Sequence, residues 1–403
     1  MTDAQSSAEV QQLRGEMVRL LRLEDAIVSD PVEAAFAAVP RHLFAPGTPL
    51  AKSYDPHGIV EAKRDSNGLI TSVMSAAHLQ AVMLEQLGVE PGMKVMEIGS
   101  GGYNAALLQE LVGESGQVTT VDIDPDITSL ASRCLKEAGY DRVKVVLADG
   151  ENGVPDGAPY DRIVITAAAW DIPPAWLEQL GEHGRLVVPL RLRGVTRSIG
   201  FDRDGENLLG QSYRLAHFVP MQGEGTAQER KAMLRDGVAI HTDDPSTPLN
   251  AQALNAALDT PRVVQWSGEA NDLPDELDLF LSLNLPALAR LHASKDVVEQ
   301  DTVGASALLG VPTLVSEDSL AYRMRRENPD TDGYESGVYA HGPQAEALAQ
   351  QYVALLQRWA QDYRRRGAAT FRYLPGLSAG VASDPKPQAT VIKPHGTVTV
   401  TWQ

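Results

Sequence analysis

The sequence predicts an α/β fold in which a mainly parallel sheet ends in an antiparallel hairpin and is followed by a smaller α+β region. Three observations support this prediction. Short apolar strands alternate with helices between residues 75 and 190. One such strand runs into a glycine-rich turn over residues 95–105, Val-Met-Glu-Ile-Gly-Ser-Gly-Gly-Tyr-Asn-Ala. The alternation stops near residue 224, which indicates a second domain.

Helical periodicity begins the chain, with a helix predicted over residues 8–28 and a second one from Asp30-Pro31 to Val39. Residues 46–72 are rich in Pro, Gly, Asp, Asn and Ser, which indicates an excursion from the core. The alternating region predicts helices at 76–88, 103–113, 125–138 and 173–180, and strands at 94–98, 117–121, 143–147, 160–166 and 185–190. Two further strands, 196–203 and 207–214, flank the hairpin signal Asp204-Gly205.

The C-terminal region mixes helices with short strands. Helices are predicted at 249–258, at 275–292 with a break near Pro286, and at 343–366; strands are predicted at 262–266, 311–315, 369–374 and 389–402. Four aromatic residues could line a peptide groove here, although we favour core packing for them: Trp359, Tyr363, Phe371 and Tyr373.

Length and charge limit the classes of protein to consider. The chain has 403 residues, so we expect two domains, residues 1–224 and residues 225–403. A formal charge of -18 would repel nucleic acid and anionic membranes, and we expect neither as a partner. The single cysteine, Cys134, excludes an intramolecular disulfide and is expected to pack inside a helix. The absence of a recognisable signal peptide or membrane-spanning run favours a cytoplasmic protein.

The glycine-rich turn predicts an adenosyl or nucleotide site, because such a turn leaves backbone N–H groups free at a helix N-terminus. Asp122 ends the second strand, at the spacing where an acid meets ribose hydroxyls. Asp149 ends the third strand, where it could accept from an adenine amino group or be a plain turn residue. The turn lacks the third glycine of Gly-x-Gly-x-x-Gly, which favours S-adenosylmethionine over NAD. Asp124 is expected to cap the next helix.

Four segments resemble the protein-L-isoaspartate (D-aspartate) O-methyltransferase family. They are residues 32–46, which include Pro40-Arg41-His42-Leu43-Phe44, residues 73–87 around Ser75, and the strand motifs 159–169 and 184–189. The resemblance covers about residues 10–220 and implies a Rossmann-like class I methyltransferase sheet with S-adenosylmethionine as cofactor. It implies that Ser75 touches the substrate carboxylate.

Motifs and resemblance together give the candidate site. The predicted catalytic residues are Ser75 and, as weaker alternatives in the same loop, Thr71 and Ser72. The predicted cofactor-binding residues are Glu97, Gly99, Ser100, Gly101, Tyr103, Asn104, Asp122, Ile123, Asp149, Gly150 and Thr166. No metal ligand is predicted. Methyl transfer to a carboxylate needs no general base, because that group is already ionised at neutral pH.

The motifs also depart from the family pattern. The glycine turn is one residue shorter than Gly-x-Gly-x-Gly-Tyr, and Ala77 replaces the proline expected after the serine. With its second domain, the layout resembles the extended actinobacterial branch found with lanthipeptide and graspetide pathways. This resemblance implies methyl-esterification of an aspartate in a modified precursor peptide, which the C-terminal domain would recognise. The ester would cyclise to a succinimide (aspartimide) or isoaspartate.

Alternatives stay open at this point. The close alternative is an isoaspartate repair methyltransferase with an appended domain; a non-catalytic peptide-binding partner and an NAD-dependent oxidoreductase are more distant. Ser75 could also be the N-cap of helix 76–88. Arg41 and His42 could face the substrate, or Arg41 could tie the N-terminal helices to the sheet. The sequence leaves the oligomeric state open.

Overall fold

The structure is a computed structural model that describes residues 3–66, 68–226, 229–272, 274–328, 333–376 and 388–402. Its α-helices are α1 (Asp3–Leu23), α2 (Asp30–Ala38), α3 (Leu50–Ser53), α4 (Ala77–Leu87), α5 (Tyr103–Val112), α6 (Pro125–Glu137), α7 (Pro174–Gln179), α8 (Ala251–Ala257), α9 (Pro274–Asn284), α10 (Lys295–Glu299) and α11 (Ala345–Arg358). A 3₁₀ turn spans Arg41–Phe44, and a π-helical turn, Trp359–Tyr363, extends α11.

The first strands are β1 (Val60–Arg64), β2 (Ile70–Met74), β3 (Lys94–Ile98), β4 (Gln117–Asp122), β5 (Lys144–Leu147), β6 (Tyr160–Ile165), β7 (Leu180–Leu192), β8 (Val195–Asp204) and β9 (Asn207–Leu215). The C-terminal strands are β10 (Arg230–Arg235), β11 (Val238–Thr242), β12 (Val263–Ala270), β13 (Leu288–Ala293), β14 (Val311–Val315), β15 (Leu320–Asn328), β16 (Gly333–His341), β17 (Ala369–Pro375), β18 (Gln388–Ile392) and β19 (Gly396–Trp402).

A ten-stranded sheet forms the centre of the molecule, in the order β18-β19-β17-β9-β8-β7-β6-β3-β4-β5. Strands β5, β4, β3, β6 and β7 are parallel, as the alternation of strands and helices predicts. Strands β8 and β9 follow as the predicted antiparallel hairpin. The chain leaves β3 toward β4 and β5 on one side, and β6 and β7 fill the other. The crevice between β3 and β6, at their carboxyl ends, is therefore the place where such sheets bind ligands.

Residues 230–341 form a seven-stranded sheet in the order β10-β11-β13-β14-β15-β16-β12. Strands β17, β18 and β19 do not join it. Strand β17 pairs with β9 of the first sheet, with Arg372 opposite Leu209, and β19 and β18 follow. The chain beyond residue 224 therefore contributes to both sheets.

The four C-terminal aromatic residues are buried in one apolar cluster that also contains Phe280 and Trp402: Trp359, Tyr363, Phe371 and Tyr373. Tyr363 packs edge-on against Trp402, with ring centroids 5.4 Å apart. The prediction of core packing for these side chains is confirmed. Cys134 is likewise buried within α6, as expected.

Several local predictions are wrong. The predicted helix 275–292 ends at Asn284, and Leu288–Ala293 is strand β13. Leucines 285, 288 and 291 recur every three residues as in a helix, but β13 lies between two strands and is buried on both faces. The predicted strand 389–402 is two strands joined by a turn. The excursion at 46–72 contains α3 and most of the β1–β2 hairpin, and strands β10, β11, β15 and β16 were not predicted.

Within the described part of the chain, no helix has both the length and the apolar character needed to cross a bilayer.

Candidate active site

A cleft of about 850 Å³ opens at the carboxyl edge of the ten-stranded sheet, beside the glycine-rich turn. The structure brings almost all of the predicted site residues together around it. Those that line the cleft are Ser72, Ser75, Glu97, Gly99, Ser100, Gly101, Tyr103, Asn104, Asp122, Ile123, Gly150 and Thr166. Asp149 is the one predicted residue that does not line it.

The glycine-rich turn needs glycine for steric reasons. Gly99 has φ of 103°, and a Cβ there would lie 2.3 Å from the Thr166 hydroxyl. That hydroxyl donates to the carbonyl oxygen of Gly99 at 2.9 Å and fixes the turn against the end of β6. A Cβ on Gly101 would meet no atom within 4 Å, so the backbone there borders open space. The first N–H groups of α5 follow directly and lack partners within the helix.

Asp122 organises the turn from the neighbouring strand. Its Oδ2 accepts from the Ser100 N–H at 2.9 Å, and its Oδ1 accepts from the Asp124 N–H at 2.9 Å. Burial raises the pKa of this carboxyl group, although these backbone hydrogen bonds oppose the shift. Asp124 accepts from the Asp126 N–H at 2.9 Å at the start of α6, so its predicted role as a helix cap is confirmed.

Glu97 has no solvent exposure, and both of its carboxylate oxygens have partners. Asn104 Nδ2 donates to one oxygen at 2.8 Å, and the Thr120 hydroxyl donates to the other at 2.6 Å. Burial raises the pKa of Glu97 to about 7. The side chain thus ties β3, β4 and the first turn of α5 together at the wall of the cleft.

Asp149 does not line the cleft, and its carboxylate accepts from two backbone N–H groups. Its Oδ1 accepts from the Glu151 N–H at 3.0 Å, and its Oδ2 accepts from the Glu224 N–H at 2.9 Å. It therefore joins the turn after β5 to residues 223–225, and the adjacent Gly150 borders the cleft instead. Recognition of adenine by Asp149 stays a prediction.

Ser75 lies in the cleft wall between β2 and α4. Helix α4 begins at Ala77 and its N-cap is Ala76, so the alternative that Ser75 is the N-cap is wrong. The Ser75 hydroxyl makes no hydrogen bond to any described residue, whereas its carbonyl oxygen accepts from Arg41 at 2.6 Å. Arg41 is completely buried and does not face the cleft. It ties the N-terminal segment to the loop before α4. This role is similar to the alternative in which Arg41 ties the N-terminal helices to the sheet.

Other cleft residues were missed from the sequence, among them Gln80 and the segment 219–222. Pro220 pairs with Ala168 beyond β6, and Gln222 Nε2 donates to the Thr71 carbonyl oxygen at 3.2 Å. Residues 222–231 look like a polar linker in the sequence, and no signal in them indicates a cleft wall.

The charge of the cleft fits S-adenosylmethionine. Its described lining includes the acids Glu97, Asp122 and Asp124 but no Lys, Arg or His. Lys63 pairs with Asp124 and Glu97 has a pKa of about 7, so Asp122 supplies most of the attraction for a ligand with a sulfonium and an ammonium group. The buried Ser100 hydroxyl also lacks a hydrogen-bond partner at the glycine-rich turn, as expected of a group reserved for a ligand. Among the described residues, no group of three or more His, Cys, Asp or Glu side chains could hold a metal ion.

The chain matches known proteins over the same region. A protein-L-isoaspartate O-methyltransferase from Methanococcoides burtonii is 38% identical over 200 residues, covering 47% of this chain and 91% of the relative. One from Methanopyrus kandleri is 38% identical over 220 residues, covering 54% of this chain and 94% of the relative.

A solved structure under the name protein-L-isoaspartate O-methyltransferase aligns with a TM-score of 0.50 and 22% identity. The alignment covers 89% of this chain and 96% of the other, so it extends into the C-terminal region. A C-terminal extension thus also occurs in a solved fold of that name.

The model of the family Protein-L-isoaspartate(D-aspartate) O-methyltransferase matches residues 12–226, just over half of the chain. The match includes the glycine-rich turn, Asp122 and Ser75. The chain therefore belongs to this family and is an S-adenosylmethionine-dependent carboxyl O-methyltransferase.

Proposed function

We propose that this enzyme methylates the free α-carboxylate of an isoaspartyl residue in a protein or peptide. The names of the relatives support this substrate better than a dedicated lanthipeptide or graspetide precursor. The observation that carries the proposal is the unpaired Ser75 hydroxyl in a cleft whose described lining has no cationic side chain. A hydroxyl can orient a carboxylate without the ion pair that would make it a poor nucleophile.

The proposed roles follow from the contacts of each side chain. Asp122, the glycine-rich turn and the N-terminus of α5 hold the cofactor, whose contribution is an electrophilic methyl group on sulfur. Ser75 donates to one oxygen of the acceptor, and Ser72 is the second candidate for this role. The other acceptor oxygen forms the new bond to the methyl carbon as the carbon–sulfur bond breaks. No proton moves, so the chain's task is to position the acceptor and to exclude water.

Mass spectrometry with S-adenosylmethionine tests the proposal. The enzyme is offered a short isoaspartyl peptide and, as the matched control, the same sequence with an ordinary aspartyl residue. We expect a methyl gain on the isoaspartyl peptide alone, followed by loss of methanol as the ester closes to a succinimide. Methylation of neither peptide would contradict the proposal.

A second candidate substrate, the aspartate of a modified precursor peptide, is favoured by one observation. Another cleft, of about 1020 Å³, lies on the far side of residues 223–225 and is lined partly by Arg230, Asp243 and His395 from the C-terminal region. Such a cleft could hold a segment of a longer peptide. Methylation of the modified precursor peptide, but of neither short peptide, would favour this candidate.

Replacement of Asp122 by Ala tests the proposed ribose contact. The variant loses an ionic acceptor and the anchor of the Ser100 N–H, so we expect at least a tenfold weaker Kd for S-adenosylhomocysteine in titration calorimetry. Asp161→Ala is the matched control, because Asp161 also accepts a backbone N–H, that of Lys94, at the opposite edge of the sheet. Unchanged affinity in Asp122→Ala would exclude the assignment.

A further inference from the structure

Arg41 is a completely buried arginine without an acidic partner. It has no solvent exposure, and no carboxylate lies within ion-pair distance of it among the described residues. A buried cation without a counter-ion is costly unless its donors are satisfied. Burial lowers the pKa of Arg41, but the ordinary pKa of a guanidinium is so high that the group stays charged. The position thus retains a charged side chain where an apolar one would be cheaper to bury.

The guanidinium donates in three directions. Nε donates to the Ser53 carbonyl oxygen at 2.9 Å, one terminal nitrogen to Gln80 Oε1 at 2.7 Å, and the other to the Ser75 carbonyl oxygen at 2.6 Å. Gln80 and Ser75 both line the candidate active site, from helix α4 and from the loop before it. One rigid planar group therefore fixes both parts of this wall.

The Arg41 side chain also contacts helix α5, which follows the glycine-rich turn. Its guanidinium carbon lies 4.6 Å from the centre of the Tyr103 ring. Tyr103 is buried, lines the cleft and is the first residue of α5, directly after the glycine-rich turn. The ring is wedged between Phe36 and Phe44, with centroids 6.2 and 5.7 Å away. Arg41 thus bridges the loop that carries Ser75 and the helix that follows the cofactor turn.

We infer that Arg41 is a positioning residue that fixes the Ser75 hydroxyl relative to the cofactor turn. The planar fork explains why arginine serves here: a lysine ammonium keeps the charge but cannot reach three acceptors in fixed directions. Arg41 does not touch the acceptor, so its effect on methyl transfer passes through Ser75. The inferred effect of Arg41 on methyl transfer rests on the role of Ser75 in the proposed function. The contacts by which Arg41 bridges the Ser75 loop and helix α5 do not.

A double-mutant cycle tests the inference, with kcat and KM for the isoaspartyl peptide measured in Arg41→Lys, Ser75→Ala and the combined variant. We expect Arg41→Lys to lower kcat by roughly 10- to 100-fold, the loss that follows from misplacing a reacting group by about an ångström. In the Ser75→Ala background the same change should have almost no further effect on kcat. Equal losses in both backgrounds, or an unchanged kcat, would overturn the inference.

Arg197→Lys is the matched control. Arg197 is also buried and donates to backbone carbonyl oxygens, those of Thr196 and Asp275, but it lies between β8 and α9 and does not line the cleft. It should lower the melting temperature while leaving kcat and its dependence on Ser75 unchanged. A kcat loss in Arg197→Lys equal to that in Arg41→Lys would show that both act through a general loss of fold stability, and it would overturn the inference.

Hydrogen–deuterium exchange gives a readout without turnover. Arg41→Lys should exchange faster than the native chain over residues 71–80, with no change over residues 144–165. Inactivity of the native enzyme toward the isoaspartyl peptide would refute the proposed function alone, and the exchange result would still decide whether Arg41 fixes this wall. Unchanged exchange over residues 71–80 would overturn the bridge.

Discussion

Glu97 and Asp149 illustrate which roles of single residues the sequence can predict. Both were assigned to the cofactor because each lies at or near the end of a parallel strand. Strand position is a backbone property and was read correctly. The direction of a side chain depends on its neighbours in space: Asn104 and Thr120 occupy the oxygens of Glu97, and two backbone N–H groups occupy those of Asp149. Such partners are distant or ambiguous in the sequence.

The buried carboxyl group of Glu97 predicts a pH-dependent stability. Its pKa is about 7 in the folded chain against an ordinary value of 4.5, so between these pH values the folded state holds a proton that the unfolded state has released. The free energy of unfolding should therefore fall as pH rises from about 4.5 to about 7. Glu97→Gln should lack this loss and gain up to about 3 kcal/mol over the native chain between pH 5 and pH 8.

Urea denaturation at both pH values measures this difference. Glu114→Gln, at an exposed position after α5, is the control and should follow the native chain. If Glu97→Gln instead parallels the native chain across this pH range, the carboxyl group is not the source of the pH dependence.

Among the elements, the β1–β2 hairpin departs most from its sequence pattern. Its residues are polar and rich in turn formers, and they read as an excursion because neither strand has a buried face of its own. The contacts that order it are long-range. Lys63 reaches Asp124 at 2.6 Å and Asp126 at 2.7 Å, and the Thr71 carbonyl oxygen accepts from Gln222. These contacts hold the hairpin beside the cofactor turn and α6.

Replacement of Lys63 by Met tests whether its ion pairs hold the hairpin beside the cofactor turn. The ion pairs are partly exposed, so each contributes little to stability. We expect S-adenosylhomocysteine to dissociate about 2- to 5-fold faster in stopped-flow measurements, with a weaker dependence on salt. Arg64→Met is the control, because Arg64 pairs with Glu61 inside the same hairpin. Equal dissociation rates in Lys63→Met and the native enzyme would argue against a role for these ion pairs in holding the hairpin.

At the scale of the whole molecule, the parallel core was predictable and the C-terminal connectivity was not. Strands β3 to β7 alternate with helices except between β5 and β6, and this pattern predicts a parallel sheet. The return of strands β17 to β19 to the first sheet has no local signature, because the pairing of β17 with β9 joins residues far apart in the chain. The division at residues 224 and 225 stays a prediction as a domain boundary, but it is not a boundary between the two sheets.

Trp402→Ala tests whether the ten-stranded sheet unfolds as one unit. Trp402 is buried beside Phe280 and Tyr363, so its truncation should cost about 3–5 kcal/mol. The melting transition that S-adenosylhomocysteine raises should fall in this variant, since ligand binding reports on the sheet that forms the cleft. Ile392→Ala, at a position 74% exposed in β18, should change little. A fall confined to a transition that the ligand does not raise would show independent unfolding.

The placement of β19 between β17 and β18 also bears on how the chain is made. On the ribosome, β9 emerges long before its partner, because residues 216–368 separate the two strands. Throughout that interval the growing sheet presents the unpaired edge of β9, the kind of edge that recruits other chains. Synthesis must pass residue 402 before β17 has both of its neighbours. We therefore expect a chain truncated within residues 369–402 to aggregate rather than to fold as a smaller enzyme.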